Sequence, residues 1–236
     1  MTTAQPGFAG AASGAHGAAG VGEIVWTVVV AGGSGARFGR AKQYEALGAS
    51  RVLDRSVGVA AAASVGVVVV VPVADVESER RVFDHVVAGG ASRSESVRAG
   101  LAAVPPDATV VCVHDAARPF ASPQLYARVV AAVTAGADGA IPGIAVTDTI
   151  KVVDADGAVL ATPARDSLRA VQTPQAFRAE VLRRAHASGG EGTDDAALVE
   201  SAGGRVVVVD GEADNRKITH PADLDWARQR VQEGAS

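Results

Sequence analysis

Residues 31–44 read AGGSGARFGRAKQY and follow the apolar run IVWTVVV, so four glycines and three basic side chains fall within a dozen positions. Backbone N–H groups freed by Gly32, Gly33 and Gly35 can approach phosphate oxygens. Arg37 adds a planar guanidinium fork and Lys42 a compact point charge. This set suits a triphosphate. Two familiar phosphate loops do not match it: Phe38 stands where the dinucleotide fingerprint needs its third glycine, and Ala41 and Gln43 flank Lys42 where a Walker loop needs Gly and Ser or Thr. A tight strand-to-helix turn carrying solvated charge is the alternative reading of the same residues. Lysine usage favours the ligand: the chain has 19 Arg and three Lys, and the three are Lys42, Lys151 and Lys217, each inside a segment singled out on other grounds.

A second candidate is Asp115, which ends the apolar run TVVCVHD (109–115). Ligands of open α/β sheets settle beyond the C-terminal ends of strands, and carboxylate oxygen is the usual protein ligand of Mg²⁺. Asp115 is therefore the candidate for a metal or for substrate hydroxyls. A helix N-cap, or a salt bridge to Arg118, is the alternative. Asp194 and Asp195 are further carboxylates to weigh as metal ligands. His114 reads as a structural hydrogen-bonder, because a phosphomonoester dianion attacks without losing a proton. Cys112, the only cysteine, reads as a small core residue, and no disulfide framework exists.

Positioning these residues requires buried strands alternating with helices. Val-rich runs recur at 24–31, 65–73, 83–89, 109–115, 139–144 and 205–210. Helix-length segments such as SESVRAGLAAV and SPQLYARVVAAVTAG lie between several of them, with Ser94 and Ser122 as N-caps. Such alternation implies an α/β fold, a mainly parallel sheet covered on both faces. Residues 142–172 break the pattern with β-type residues around a DADG turn, which predicts a hairpin-like excursion.

The 236 residues carry 22 basic and 26 acidic side chains, a net charge of −4 that argues against nucleic acid as a partner. Residues 1–22 are mostly Ala and Gly, lack a basic n-region and a long apolar stretch, and read as a disordered extension preceding one domain, 23–236. Ser56 to Ala74 is uncharged and imitates a membrane span. Its Ala-rich first half and its Val-rich second half, punctuated by Gly66 and Pro72, predict a helix end and a buried strand instead. A soluble cytoplasmic protein is the expectation.

Seven segments together resemble the 2-C-methyl-D-erythritol 4-phosphate cytidylyltransferase family, over about residues 24–231. They are AGGSGARFG with KQY, GGASRSESVRAGL (89–101), VHDAARPF (113–120), TDTIK (147–151), RAVQTPQAF (169–177), GTDDAALVE (192–200) and NRKITHPADL (215–224). The resemblance implies a Rossmann-like sheet with a protruding β-arm that exchanges across a homodimer. It implies attack by the 4-phosphate of methylerythritol phosphate on the α-phosphorus of CTP, with Mg²⁺ and release of pyrophosphate. By motif position, Arg37, Lys42 and Lys217 serve catalysis, and Lys217 also grips phosphate. Ala31, Gly32, Gly33, Gly35, Gly90, Ala91, Ser96, Asp115 and Ala116 hold the nucleotide. Thr149 and Arg165 on the arm reach the acceptor in the neighbouring subunit, and Thr193 joins them. The family pattern has a proline where Ala41 stands, an aspartate where Ala91 stands and an apolar residue where Arg216 stands. A cytidylyltransferase for another polyol phosphate, such as ribitol 5-phosphate, and a non-catalytic nucleotide-binding relative are the rival readings.

Overall fold

The computed structural model describes residues 22–33 and 38–234. The expectations for the N-terminal extension, for Gly35 and for Arg37 lie outside the described residues. Strand β1 (Val25–Val30) leads through the glycine loop and a 3₁₀ turn at Lys42–Tyr44 to a small hairpin, β2 (Ala46–Leu47) and β3 (Ser50–Arg51). Next come α1 (Val52–Ala63), β4 (Gly66–Val71), the short α2 (Val76–Glu79), β5 (His85–Ala88) and α3 (Arg93–Ala103). After β6 (Val110–Asp115), α4 (Pro123–Thr134) and β7 (Gly139–Ala145), the chain leaves the sheet for the hairpin β8 (Val152–Val153) and β9 (Val159–Ala161). It returns as β10 (Arg169–Val171) and β11 (Gln175–Arg178), and ends with α5 (Ala179–Ala187), α6 (Asp195–Ser201), β12 (Val206–Asp210) and α7 (Pro221–Glu233).

The main sheet runs β5-β4-β1-β6-β11-β7, with β10 and β12 also paired to β7. Parallel pairs join β5, β4, β1 and β6, and β12 joins β7 in the same sense. Strands β10 and β11 are antiparallel to their neighbours, because the chain re-enters from the top after its excursion. Side chains alternate across the pleat. Val29, Val69, Val71 and Cys112 face α1 and α4, where Leu53, Val57, Leu125, Tyr126 and Val129 cover them. Val28, Val68, Val70, Val111 and Val113 face α3, α5 and α6, where Val97, Leu101, Leu182 and Val199 do the same. Gly100 lets α3 lie close on the sheet, since a Cβ there would stand 2.4 Å from Val28 Cγ1.

The uncharged stretch from Ser56 to Ala74 divides between α1 and β4, and no helix among the described residues is long and apolar enough to cross a membrane. Burial pushes the Cys112 thiol up to about 12, as suits a core residue. Two expectations are corrected. Helix α3 is capped by Ser92, whose Oγ accepts from Glu95 N while Glu95 reaches back to Ser92 N; Ser94 lies inside the first turn and is buried. The excursion spans 146–168 instead of 142–172, because residues up to Ala145 and from Arg169 pair within the main sheet. At its tip, Asp154 Oδ1 accepts from Asp156 N and Ala158 N, and Gly157 takes φ +84°, a conformation that favours glycine.

Candidate active site

The C-terminal ends of β1, β5 and β6 surround a cavity of about 470 Å³, within the usual range for small-molecule sites. Its walls bring together ten of the residues named from sequence: Ala31, Gly32, Gly33, Lys42, Gly90, Ala91, Ser96, Asp115, Ala116 and Lys217. Backbone bonds fix the rim. Ala31 N donates to Val70 O at 2.7 Å, Ala116 N to Val30 O at 3.0 Å, and buried Gln43 donates from Nε2 to Ala31 O at 2.9 Å. Gln43, at the position that is Ser or Thr in a Walker loop, thus ties the glycine loop to the 3₁₀ turn that carries Lys42. On the opposite wall, Ser96 Oγ accepts from Gly90 N at 3.2 Å and donates to Ser92 O at 2.9 Å. A Cβ on Gly32 would stand 3.3 Å from that oxygen and one on Gly89 2.8 Å, so glycines let the two loops close on Ser96.

Asp115 sits on the floor between two cations. Its Oδ1 accepts from Arg93 Nε at 3.3 Å and its Oδ2 from Lys217 Nζ at 2.6 Å. Burial alone would raise its pKa, but Arg93, Lys217 and Arg118 outweigh burial and hold it well below the usual carboxylate range. Neither alternative expectation for Asp115 holds. Ser122 caps the helix that follows, and Arg118 donates to Asn215 O and Val171 O.

His114 holds Asp115 in place. The ring is fully buried, with Nε2 3.1 Å from Arg118 O and Nδ1 3.1 Å from Thr173 Oγ1, which also accepts from Asp115 N. Burial lowers its pKa to about 4, so the neutral ring acts as a structural link. Lys217 is presented by an anchored segment. Ile218 is buried and donates from N to Ala117 O at 2.8 Å, and Asn215 Nδ2 donates to Thr173 O at 2.8 Å. Arg216 points the other way, with its guanidinium 4.5 Å from the Trp226 ring centroid, which accounts for a cation at an otherwise apolar position.

Across residues 25–233 the chain matches the family model described as 2-C-methyl-D-erythritol 4-phosphate cytidylyltransferase. It is 51% identical over 224 residues to the enzyme of that name from Rhodococcus jostii, covering 92% of this chain and 98% of that one. The chain belongs to this family. Among solved structures, 4-diphosphocytidyl-2C-methyl-D-erythritol synthase from Anaerococcus prevotii superposes with a TM-score of 0.80 at 28% identity, covering 89% of this chain and 97% of that one. The 2-C-methyl-D-erythritol 4-phosphate cytidylyltransferase from Thermus thermophilus gives 0.75 at 33%, covering 87% and 98%. The α/β fold and its mostly parallel sheet are those of the family.

Three residues named from sequence lie outside the cavity of their own chain. Thr149 is exposed on the excursion, Arg165 is exposed with Nη1 donating to Thr147 O at 3.0 Å, and Thr193 is exposed just before α6. The further carboxylates are occupied elsewhere. Asp194 caps α6 and accepts from Gln175 Nε2 at 2.8 Å, and Asp195 is buried against Arg93 and His186. Five lining residues were not named as site residues from the sequence: Val30, Gln43, Ser92, Arg93 and Ala117. Arg93 lay inside a quoted segment, but its partners Asp115 and Asp195 are 22 and 102 positions away, and only the fold reveals the bridge.

Proposed function

We propose that this chain joins CTP to 2-C-methyl-D-erythritol 4-phosphate and releases pyrophosphate, acting as one nucleotidyltransferase domain from residue 23 onward. The observation that carries the reading is a cavity lined by Lys42, Arg93 and Lys217, with Arg93 and Lys217 on the carboxylate of Asp115, in a chain of this family. A rival reading as a non-catalytic nucleotide binder does not require so many charges at one strand end.

Two polyanions must meet, so the protein's task is to position them and to offset charge that builds on phosphoryl oxygens. The base would rest against Gly90, Ala91 and Ser96, and the phosphates along the loop at Ala31 to Gly33 and beside Ala116. Lys42 and Lys217, with Arg37, would face the phosphoryl group in flight and favour its transition state. No general base is needed, because the acceptor phosphate already carries its lone pairs. Asp115 is anionic and faces the cavity, and its carboxylate would hold Mg²⁺ beside the bound nucleotide. Among the described residues no group of three His, Cys, Asp or Glu side chains gathers to bind a metal on its own, which agrees with a cation shared with the nucleotide. When bound there, Mg²⁺ would add charge neutralisation on the triphosphate.

The excursion is proposed as a dimer arm. Ile150, Val152, Val153, Val159 and Leu160 are exposed on it, Leu160 by 65%, and a second copy would cover them. Thr149 and Arg165 would then reach the acceptor in the partner's cavity, with Thr193 at its edge. A cytoplasmic location fits the charge and the substrates.

Pyrophosphate release with methylerythritol phosphate and CTP, UTP or GTP tests the donor assignment. CTP is expected to be far the best; equal turnover with UTP would overturn the proposed base site.

A further inference from the structure

Arg93 is held from behind by a pair that does not line the cavity. Arg93 Nη1 donates to Asp195 Oδ2 at 2.8 Å, and Asp195 Oδ1 lies 3.0 Å from His186 Nε2. Together with Arg93 Nε on Asp115 and Lys217 on the far oxygen of Asp115, this makes one unbroken chain: His186, Asp195, Arg93, Asp115, Lys217. The side chains at its rear are out of solvent, His186 at 3% and Asp195 at 1% exposure.

A carboxylate oxygen can only accept, so His186 Nε2 must carry the proton in that contact. The other ring nitrogen, Nδ1, is buried with no hydrogen-bond partner among the described residues. A buried ring nitrogen without a partner is unfavourable, and an aliphatic side chain would fill the same space between α5 and α6 without one. The imidazole is therefore explained by the single bond it makes. That bond matters because Arg93 lies between two carboxylates, Asp115 in front and Asp195 behind. Fixing Oδ1 of Asp195 leaves Oδ2 aimed at Nη1 and sets how far the guanidinium reaches over the cavity wall.

We propose that His186 is a positioning residue for the nucleotide site, acting through Asp195 to fix Arg93 toward the bound triphosphate. This rests on the reading of the cavity as the CTP site. It also accounts for an otherwise idle buried histidine some distance along α5.

The test measures CTP affinity and steady-state constants for H186L, H186Q, R93A and the double variant H186L/R93A, well below each unfolding midpoint. H186L is expected to raise KM for CTP by about tenfold while kcat falls by less and KM for the acceptor stays put. H186Q, whose amide N–H can replace the Nε2–H donor, should recover most of the loss. In the R93A background H186L should change CTP affinity by less than about twofold. An unaltered CTP affinity in folded H186L would overturn the proposal, as would a full loss added on top of R93A. Should H186L fail to fold, H186Q against H186N decides, because Asn is too short to place its donor on Asp195; equal CTP affinities would reject the idea. Failure of the underlying CTP reading is distinguishable, since the unmodified protein would then bind no CTP.

Discussion

Lys217 Nζ stands 2.6 Å from Asp115 Oδ2, although 102 residues separate them in the chain. The pair closes the cavity floor from the side opposite Arg93, so one carboxylate balances two cations that both face a polyanion site. Removing the carboxylate leaves Lys217 without this partner and Arg93 with Asp195 alone. Asp115→Asn should lower stability by about 3 kcal/mol, the low end for a broken buried pair because Lys217 remains 36% exposed. It should also remove most turnover if Asp115 holds the proposed cation. Chemical denaturation and pyrophosphate release check both, and a variant as stable and active as the parent would contradict the role given to this floor.

Lys42 lies on the 3₁₀ turn that Gln43 fastens to the glycine loop. Lys42→Gln keeps most of the length and polarity but removes the charge. Its kcat should fall by on the order of 10² to 10³ in a variant that remains folded, the usual effect of losing one contact to developing charge. Near-normal kcat would make Lys42 a solvated surface charge.

His114 predicts an acid limb in stability. The unfolded chain takes up this proton near pH 6.5, while the folded chain resists until about 4, so protonation favours the unfolded state between those values. Stability from His114 is therefore whole above pH 6.5 and is lost as pH falls toward 4, by about 3 kcal/mol. Asp115, also depressed, adds its own loss below the ordinary carboxylate range. Unfolding free energy measured from pH 7.5 to 4.5 should decline through this window and flatten in His114→Gln; the same slope in both would assign the effect elsewhere.

An arm that serves its neighbour permits complementation. Lys42→Ala and Arg165→Ala should each be nearly inactive alone. Refolded together, half the dimers are mixed and each mixed dimer holds one intact site, so about a quarter of the activity should return. Mass-tagged chains verify exchange, and proven exchange without recovery would place Arg165 in its own chain's service or in none.

Much of this molecule is legible in the sequence, and the reasons are local. The runs ending at Val30, Val71 and Asp115 are continuous Val-rich stretches because these strands are buried on both faces. The glycine loop was readable as a ligand site, and Gly32 reflects its close approach to Ser96; Gly90 was named only through the family resemblance, and a Cβ there would meet Glu95. Other features were not readable. Strand β11 is four residues, QAFR, and nothing in it signals reversed direction; its place between β6 and β7 follows from the path of the excursion. The sequence pattern points to Ser94 as the cap of α3, but Ser92 takes that place, because Glu95 stands three residues after it and completes a capping box. Arg93 and His186 act through Asp195, a contact that exists only once α3, α5 and α6 pack together on one face of the sheet.

On the proposed reading this cavity transfers a cytidylyl group to methylerythritol phosphate. Its most direct test is the ratio of kcat/KM for methylerythritol phosphate to that for ribitol 5-phosphate, with CTP and Mg²⁺, while ³¹P NMR follows formation of the coupled diphosphate product. A diphosphodiester is expected from methylerythritol phosphate, in step with pyrophosphate, and little from ribitol 5-phosphate. Equal or faster conversion of ribitol 5-phosphate, or pyrophosphate without the coupled product, would contradict it.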